Sequence, residues 1–204
     1  MKKSLFRLTL AVAAIAFLSG CAGKVRYPSY YSLSLPPAPD PPAEEGAHAS
    51  LAVREFRSPG YLRQGAIVYR TSPEQIGFYN YQRWAVEPRD FVTDAVTERL
   101  RASGKFAQVK PYDGHADVDY VLSGRLEKLE EIDYADGIQV EVEIAAQLSN
   151  LATGETVWTN EVREVGKVEQ RDVASVVSAM SHTMDEAIGK LLIQVPNSTP
   201  LKSK

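Results

Sequence analysis

Between residues 118 and 158 apolar and polar positions alternate almost without a break. Val118, Tyr120, Leu122 and Leu126 share one side. Ile138, Val140, Val142, Ile144, Ala146 and Leu148 then alternate against Gln139, Glu141, Glu143 and Gln147. A period of two places every second side chain on the same face of a strand. Residues 133–137 and 150–154 hold the Asp, Asn and Gly that hairpin turns need, and Thr156 and Trp158 begin a third strand. The pattern predicts a three-stranded antiparallel meander with one buried and one wet face.

Two stretches change to helical spacing. Residues 88–103 start with Pro88, which suits a first helical turn, carry Phe91, Val92, Ala95, Val96 and Leu100 on one stripe, and run into Gly104. Residues 171–195 keep Val173, Val176, Val177, Met180, Met184, Ala187, Ile188, Leu191 and Leu192 on one side until Pro196 stops them. Shorter alternating runs at 30–35, 50–56, 67–70, 75–81 and 106–109 read as strands. In the first of these, Tyr31, Leu33 and Leu35 oppose Ser32 and Ser34. One-sided helices and a one-sided sheet bury their apolar faces against each other. The expected fold is therefore an α/β two-layer sandwich, with a largely antiparallel, mixed sheet and two main helices on one face. It forms a single domain over residues 30–196. A proline-rich insert at 36–50, with five prolines between positions 36 and 42, is expected as an exposed connection. Residues 197–204 are expected as a disordered tail.

The first twenty residues follow a different logic. Lys2, Lys3 and Arg7 precede an apolar run at 8–18, and Ser19 and Gly20 follow it. This is the layout of a cleaved signal peptide, and the apolar run is too short for a bilayer core that takes roughly twenty residues. The tetrapeptide Leu18, Ser19, Gly20, Cys21 looks like a bacterial lipobox, which makes Cys21, the one cysteine of the chain, the lipidation site. Residues 21–29 then form a lipidated tether. Tyr30 lies nine positions after Cys21. This stretch spans at most about 30 Å, so the domain sits close to a membrane. By resemblance to sorted lipoproteins, Ala22 rather than Asp after the cysteine implies the outer membrane of a Gram-negative cell, on its periplasmic face.

Charge narrows the choice of partner. The full chain has 23 Lys and Arg against 26 Asp and Glu; without Lys2, Lys3 and Arg7, 20 bases face 26 acids, a net charge near −6. A nucleic-acid binder needs a basic face, so that class is set aside. No nucleophile elbow, HExxH, dinucleotide or phosphate-loop motif occurs, and no enzymatic activity is expected. The cluster Asp113, His115, Asp117, Asp119 has oxygen and nitrogen ligands at close spacing but lacks the glycine and distant glutamate of a calcium loop, so no metal is expected. No cofactor is expected beyond the covalent lipid on Cys21. Tyr61, Tyr69, Phe78, Tyr79, Tyr81 and Trp84 fall within 24 residues, among several arginines. Tyr, Trp and Arg dominate interface hot spots, although rings also fill cores. Arg83 and Trp84 are the pair expected to be partly exposed.

Taken in order, the lipobox at Cys21, Tyr30-Tyr31-Ser32-Leu33, the run Leu51 to Phe56 (LAVREF), Pro59 to Arg63 (PGYLR), Ile67 to Arg70 (IVYR), Arg83 to Pro88 (RWAVEP) and Asp117 to Tyr120 (DVDY) resemble one known family. The family is that of the auxiliary lipoproteins of ABC-type transport systems, of the PqiC (paraquat-inducible) kind. The resemblance extends over nearly all of the chain after Cys21. It implies a non-enzymatic outer-membrane lipoprotein that docks a periplasmic MCE-domain (mammalian cell entry) protein and its ABC transporter, in intermembrane phospholipid transport. A homo-oligomeric ring is a further expectation, because bridging MCE proteins are rings. The expected contact residues are Tyr30, Tyr31, Leu33, Tyr61, Leu62, Arg63, Arg83 and Trp84. Two other readings stay open. One is a stand-alone lipid- or ligand-binding lipoprotein with a groove between helix and sheet. The other is an assembly lipoprotein of another envelope export machine.

Overall fold

A computed structural model describes residues 26–38, 49–115, 117–135 and 137–197. The expected signal peptide, Cys21 and most of the proline-rich insert lie outside the described residues, as does nearly all of the expected tail. The strands are β1 (Ser29–Tyr31), β2 (Ser50–Val53), β3 (Ala66–Arg70), β4 (Ile76–Trp84), β5 (Gln108–Pro111), β6 (Tyr120–Ala135), β7 (Gly137–Asn150) and β8 (Thr156–Lys167). The helices are α1 (Pro88–Ala102) and α2 (Val173–Ile193), and a short 3₁₀ turn covers Gly60–Gln64.

β6 organises the sheet. Along one edge it pairs antiparallel with β7, which pairs antiparallel with β8. Its other edge is shared: β2 runs parallel to residues 120–122, and β3 runs parallel to residues 131–132. β5 extends the sheet beyond β2, while β4 and then β1 extend it beyond β3. The result is the mixed sheet with both helices on one face that the alternation implies.

The helix side of this sheet is the core. Leu122, Leu126 and Leu129 of β6, with Val140, Val142, Ile144 and Leu148 of β7, meet Met180, Met184, Ile188 and Leu191 of α2 and Val92, Val96 and Leu100 of α1. Met180 and Met184 are fully buried, so these long side chains fill the helix–sheet interface. The Phe56 ring lies so close over Gly124 that a Cβ there would come within 2.1 Å of it. Pro88 opens α1, and the Asp172 side chain caps α2 by accepting the Ser175 N–H at 2.9 Å.

Two element assignments differ from the sequence expectation. The run 30–35 stays in the sheet only as far as Tyr31, and β1 pairs in parallel with the end of β4. Beyond it the chain crosses the helix layer: Leu33 is buried, and the Ser34 N–H donates to Ser181 Oγ of α2 at 3.1 Å. Its apolar alternation therefore faces helices rather than strand neighbours. Residues 127–135 and 159–167, where charged side chains alternate with few apolar ones, also belong to the sheet. They are held there by pairing with β7.

Candidate functional site

The residues expected to meet a partner converge at the β1 end of the sheet. Tyr30 is register-paired with Arg83, and Tyr31 with Trp84. The 3₁₀ turn folds beside them because Pro59 leads into it and Gly65, at φ 72°, ends it in the left-handed conformation that glycine adopts without strain. The Trp84 N–H then donates to the Gly65 carbonyl at 2.8 Å, the Ala85 N–H to the Tyr31 carbonyl at 2.8 Å, and Arg83 Nη1 to the Gln64 carbonyl at 3.1 Å. Three chain segments are thus tied around Arg83.

Burial divides the set. Leu33, Leu62 and Trp84 are only 6%, 2% and 6% exposed and belong to the core. The expectation that Trp84 is partly exposed is therefore corrected. It occupies a core-facing position of β4 beside the half-buried Tyr31, and its large apolar ring gains most by leaving water. Tyr61 is half-buried and turned toward β6, where its hydroxyl donates to the Glu130 carboxylate at 3.0 Å and lies 3.1 Å from the Glu127 carbonyl. Burial raises the Tyr61 pKa, and the Glu130 charge and hydrogen bond push it the same way. What remains outward is Tyr30, at 64% exposure, with Arg63 and part of Arg83.

Around these lie residues that sequence reasoning did not place in the site. Tyr27 and Tyr81 are 82% and 41% exposed, Val86 is 52% exposed, and the Arg26 guanidinium sits 5.8 Å over the Tyr81 ring. Tyr27 falls in the expected tether, and Tyr81 in the aromatic run; neither position distinguishes a surface ring from a core ring. Among the described residues β1 pairs only with β4, so the outer edge of β1 carries main-chain donors and acceptors that no strand has taken. Chemically, the region offers exposed phenol rings, guanidinium groups and a short free strand edge, the components of a protein-recognition surface.

In the Asp113–Asp119 region two carboxylates, those of Asp113 and Asp119, are engaged internally. Asp113 accepts the His115 N–H at 2.9 Å, and Asp119 accepts both the N–H and hydroxyl of Ser50 at 2.7 Å, joining β2 to the start of β6. The Ser50 bonds hold the Asp119 pKa down.

The model of the ABC-type transport auxiliary lipoprotein component family matches residues 31–190. The chain belongs to this family. Among solved structures, this auxiliary lipoprotein is similar to a Xanthomonas campestris protein of the DUF330 family, with 20% identity, TM-score 0.69 and coverage of 80% of this chain and 92% of that one. It is also similar to a hypothetical protein from Chlamydia trachomatis, with 8% identity, TM-score 0.51 and coverage of 72% and 95%. Both similarities establish the fold alone. No curated protein matches the sequence significantly. Among the described residues of the auxiliary lipoprotein, no helix is long and apolar enough to cross a membrane.

Proposed function

We propose that this auxiliary lipoprotein is the outer-membrane end of an MCE/ABC-type intermembrane phospholipid transport system. It acts without catalysis, is anchored by lipid on Cys21, and docks the periplasmic MCE-domain protein. The observation that carries the reading is the exposed Tyr30 beside the partly exposed Arg83, with Tyr27, Tyr81 and the free β1 edge, in a chain of the transport auxiliary family. Arg26 lies five positions after Cys21. This stretch reaches at most about 18 Å, so the tether keeps this surface near the membrane, where a bridging protein must deliver or collect its cargo. Exposed tyrosines supply rigid contact area at little entropic cost, and the β1 edge supplies main-chain bonds.

The filled interface between α2 and the sheet favours docking over a ligand carried between those layers. The test is binding of detergent-solubilised full chain to the MCE-domain protein of its transport system. Tyr30→Ala combined with Arg83→Ala should weaken binding by about tenfold or more while the melting temperature holds. Undiminished binding by the folded double variant would move the docking surface elsewhere.

A further inference from the structure

The sheet face turned away from the helices carries a second feature. The Arg54 N–H donates to the Leu122 carbonyl at 2.8 Å, and the Arg57 N–H to the Gly124 carbonyl at 3.0 Å. The chain thus takes three residues to pass two of β6, a bulge that turns Phe56 inward over Gly124 and leaves both arginines outward. Arg57 is bridged directly to Arg125. The β6–β7–β8 register continues from Arg125 to Ala145 and the exposed Glu161 in one row, and from Ser123 to Gln147 and Thr159 in the next. Where Ala145 and Ser123 leave little side chain, a groove of about 360 Å³ opens, walled by Arg54, Arg57 and Arg125.

Like charges directly opposite on neighbouring strands destabilise a sheet. Here the Arg57 guanidinium has no hydrogen-bond or ion-pair partner among the described residues. Arg125 commits only its Nε, to Glu127 at 2.8 Å, and keeps its terminal amines free for a ligand. The Arg54 guanidinium stacks 4.6 Å over Tyr112. The two acids at the rim are engaged, Glu127 with Arg125 and Glu55 with Arg89 at 3.1 Å. A chain of net charge −3 therefore places one unpaired guanidinium, that of Arg57, beside the Glu127-paired Arg125 on a floor of small residues.

We propose that this groove binds a phosphate group, gripped by the paired guanidiniums of Arg57 and Arg125, whose planar forks match phosphate oxygens. Ser123, Gln147 and Thr159 supply neutral donors to the remainder of the ligand. The site lies on the open face beside the first half of β6, whereas the β1–β4 surface lies beyond its second half, so the inference does not depend on what that surface docks.

The test is calorimetric titration of the full chain in maltoside detergent, separately with inorganic phosphate and with short-chain phosphatidylglycerol. Saturable binding of either supports the site; binding of inorganic phosphate assigns a free anion, and binding of the lipid alone assigns a headgroup. Arg57→Ala, at an exposed position, should weaken that binding by about tenfold with an unchanged melting temperature, and Arg57→Lys should restore only part of it. Two results would overturn the proposal: no binding of either probe, or binding that Arg57→Ala leaves unchanged (an adventitious ion only).

Discussion

On the helix side of the β6–β7–β8 meander, Leu126, Leu129, Val140, Val142 and Ile144 are sealed from water. On the other side the same strands carry Lys128, Glu141, Glu143 and Arg163. Lys128 Nζ lies 2.8 Å from Glu141 and 2.7 Å from Glu143, and Arg163 Nε lies 2.8 Å from Glu141. One alternation therefore produces two kinds of surface. The first is held by removal of apolar area from water, about 25 cal/mol per Å², and the second by ion pairs whose Coulomb gain is largely offset by desolvation and screening.

Glu130 and Glu131 are consecutive in β6 and sharpen the contrast. Glu130 belongs to the open side, is fully buried, and is paired with Arg70 as well as with the Tyr61 hydroxyl. Glu131 points to the helix side, where the Tyr79 hydroxyl donates to it at 2.8 Å. Burial raises the Glu131 pKa and Asp133 adds to the rise, while the Tyr79 bond and the Arg171 charge oppose it only in part. A buried carboxylate whose polar neighbours do not offset its desolvation resists ionisation.

Removing a cation from the open side should have the largest effect. Arg70→Met leaves Glu130 buried without its counter-charge and should lower stability by about 3–5 kcal/mol, read by urea denaturation at pH 7. A loss below about 1 kcal/mol would mean that Glu130 does not depend on Arg70.

The two faces can then be compared directly. Leu126→Ala should cost about 2–5 kcal/mol whatever the salt concentration. Arg163→Ala, on the exposed rim of the charged ladder, should cost less than about 1 kcal/mol and less again in high salt. Equal losses would erase the distinction between the faces.

The smallest effect concerns pH. Because the folded-state pKa of Glu131 lies above its unfolded value, the native state holds this proton more tightly. The contribution of Glu131 is therefore most favourable below the unfolded pKa and is lost as pH rises through the folded pKa. Glu131→Gln cannot ionise, so stability measured upward from pH 4 should fall less in the variant than in the parent. Parallel curves would show that Glu131 ionises as readily in the folded chain as in the unfolded one.

These buried carboxylates mark where the sequence was legible and where it was not. The meander and both helices could be read because a one-sided core imposes a period of two or 3.6 on apolar positions, as Val140, Val142 and Ile144 or Met180, Met184 and Ile188 display. The extension of β6 through Glu130 and Glu131 was not legible, since charged residues at both positions look like solvent until Arg70, Tyr61 and Tyr79 are brought over them by β3, β4 and the 3₁₀ turn. At the candidate docking surface, the pairing of Tyr30 with Arg83 comes from a parallel contact between distant segments, which no local pattern encodes. The expected exposure likewise fell on Trp84, which is buried, and passed over Tyr81, which is exposed, because local composition does not show which ring faces the helices.

The central claim is that the β1–β4 surface receives an MCE-domain protein. The most direct measurement places a photo-crosslinking residue at Tyr30 in the full-length lipoprotein in cells, with the same probe at the exposed Glu161 of β8 as a control, and identifies what each captures by mass spectrometry. The account predicts an MCE-domain protein captured from position 30 and not from position 161. Capture of a different envelope machine from position 30, or of the MCE protein equally from both positions, would contradict it.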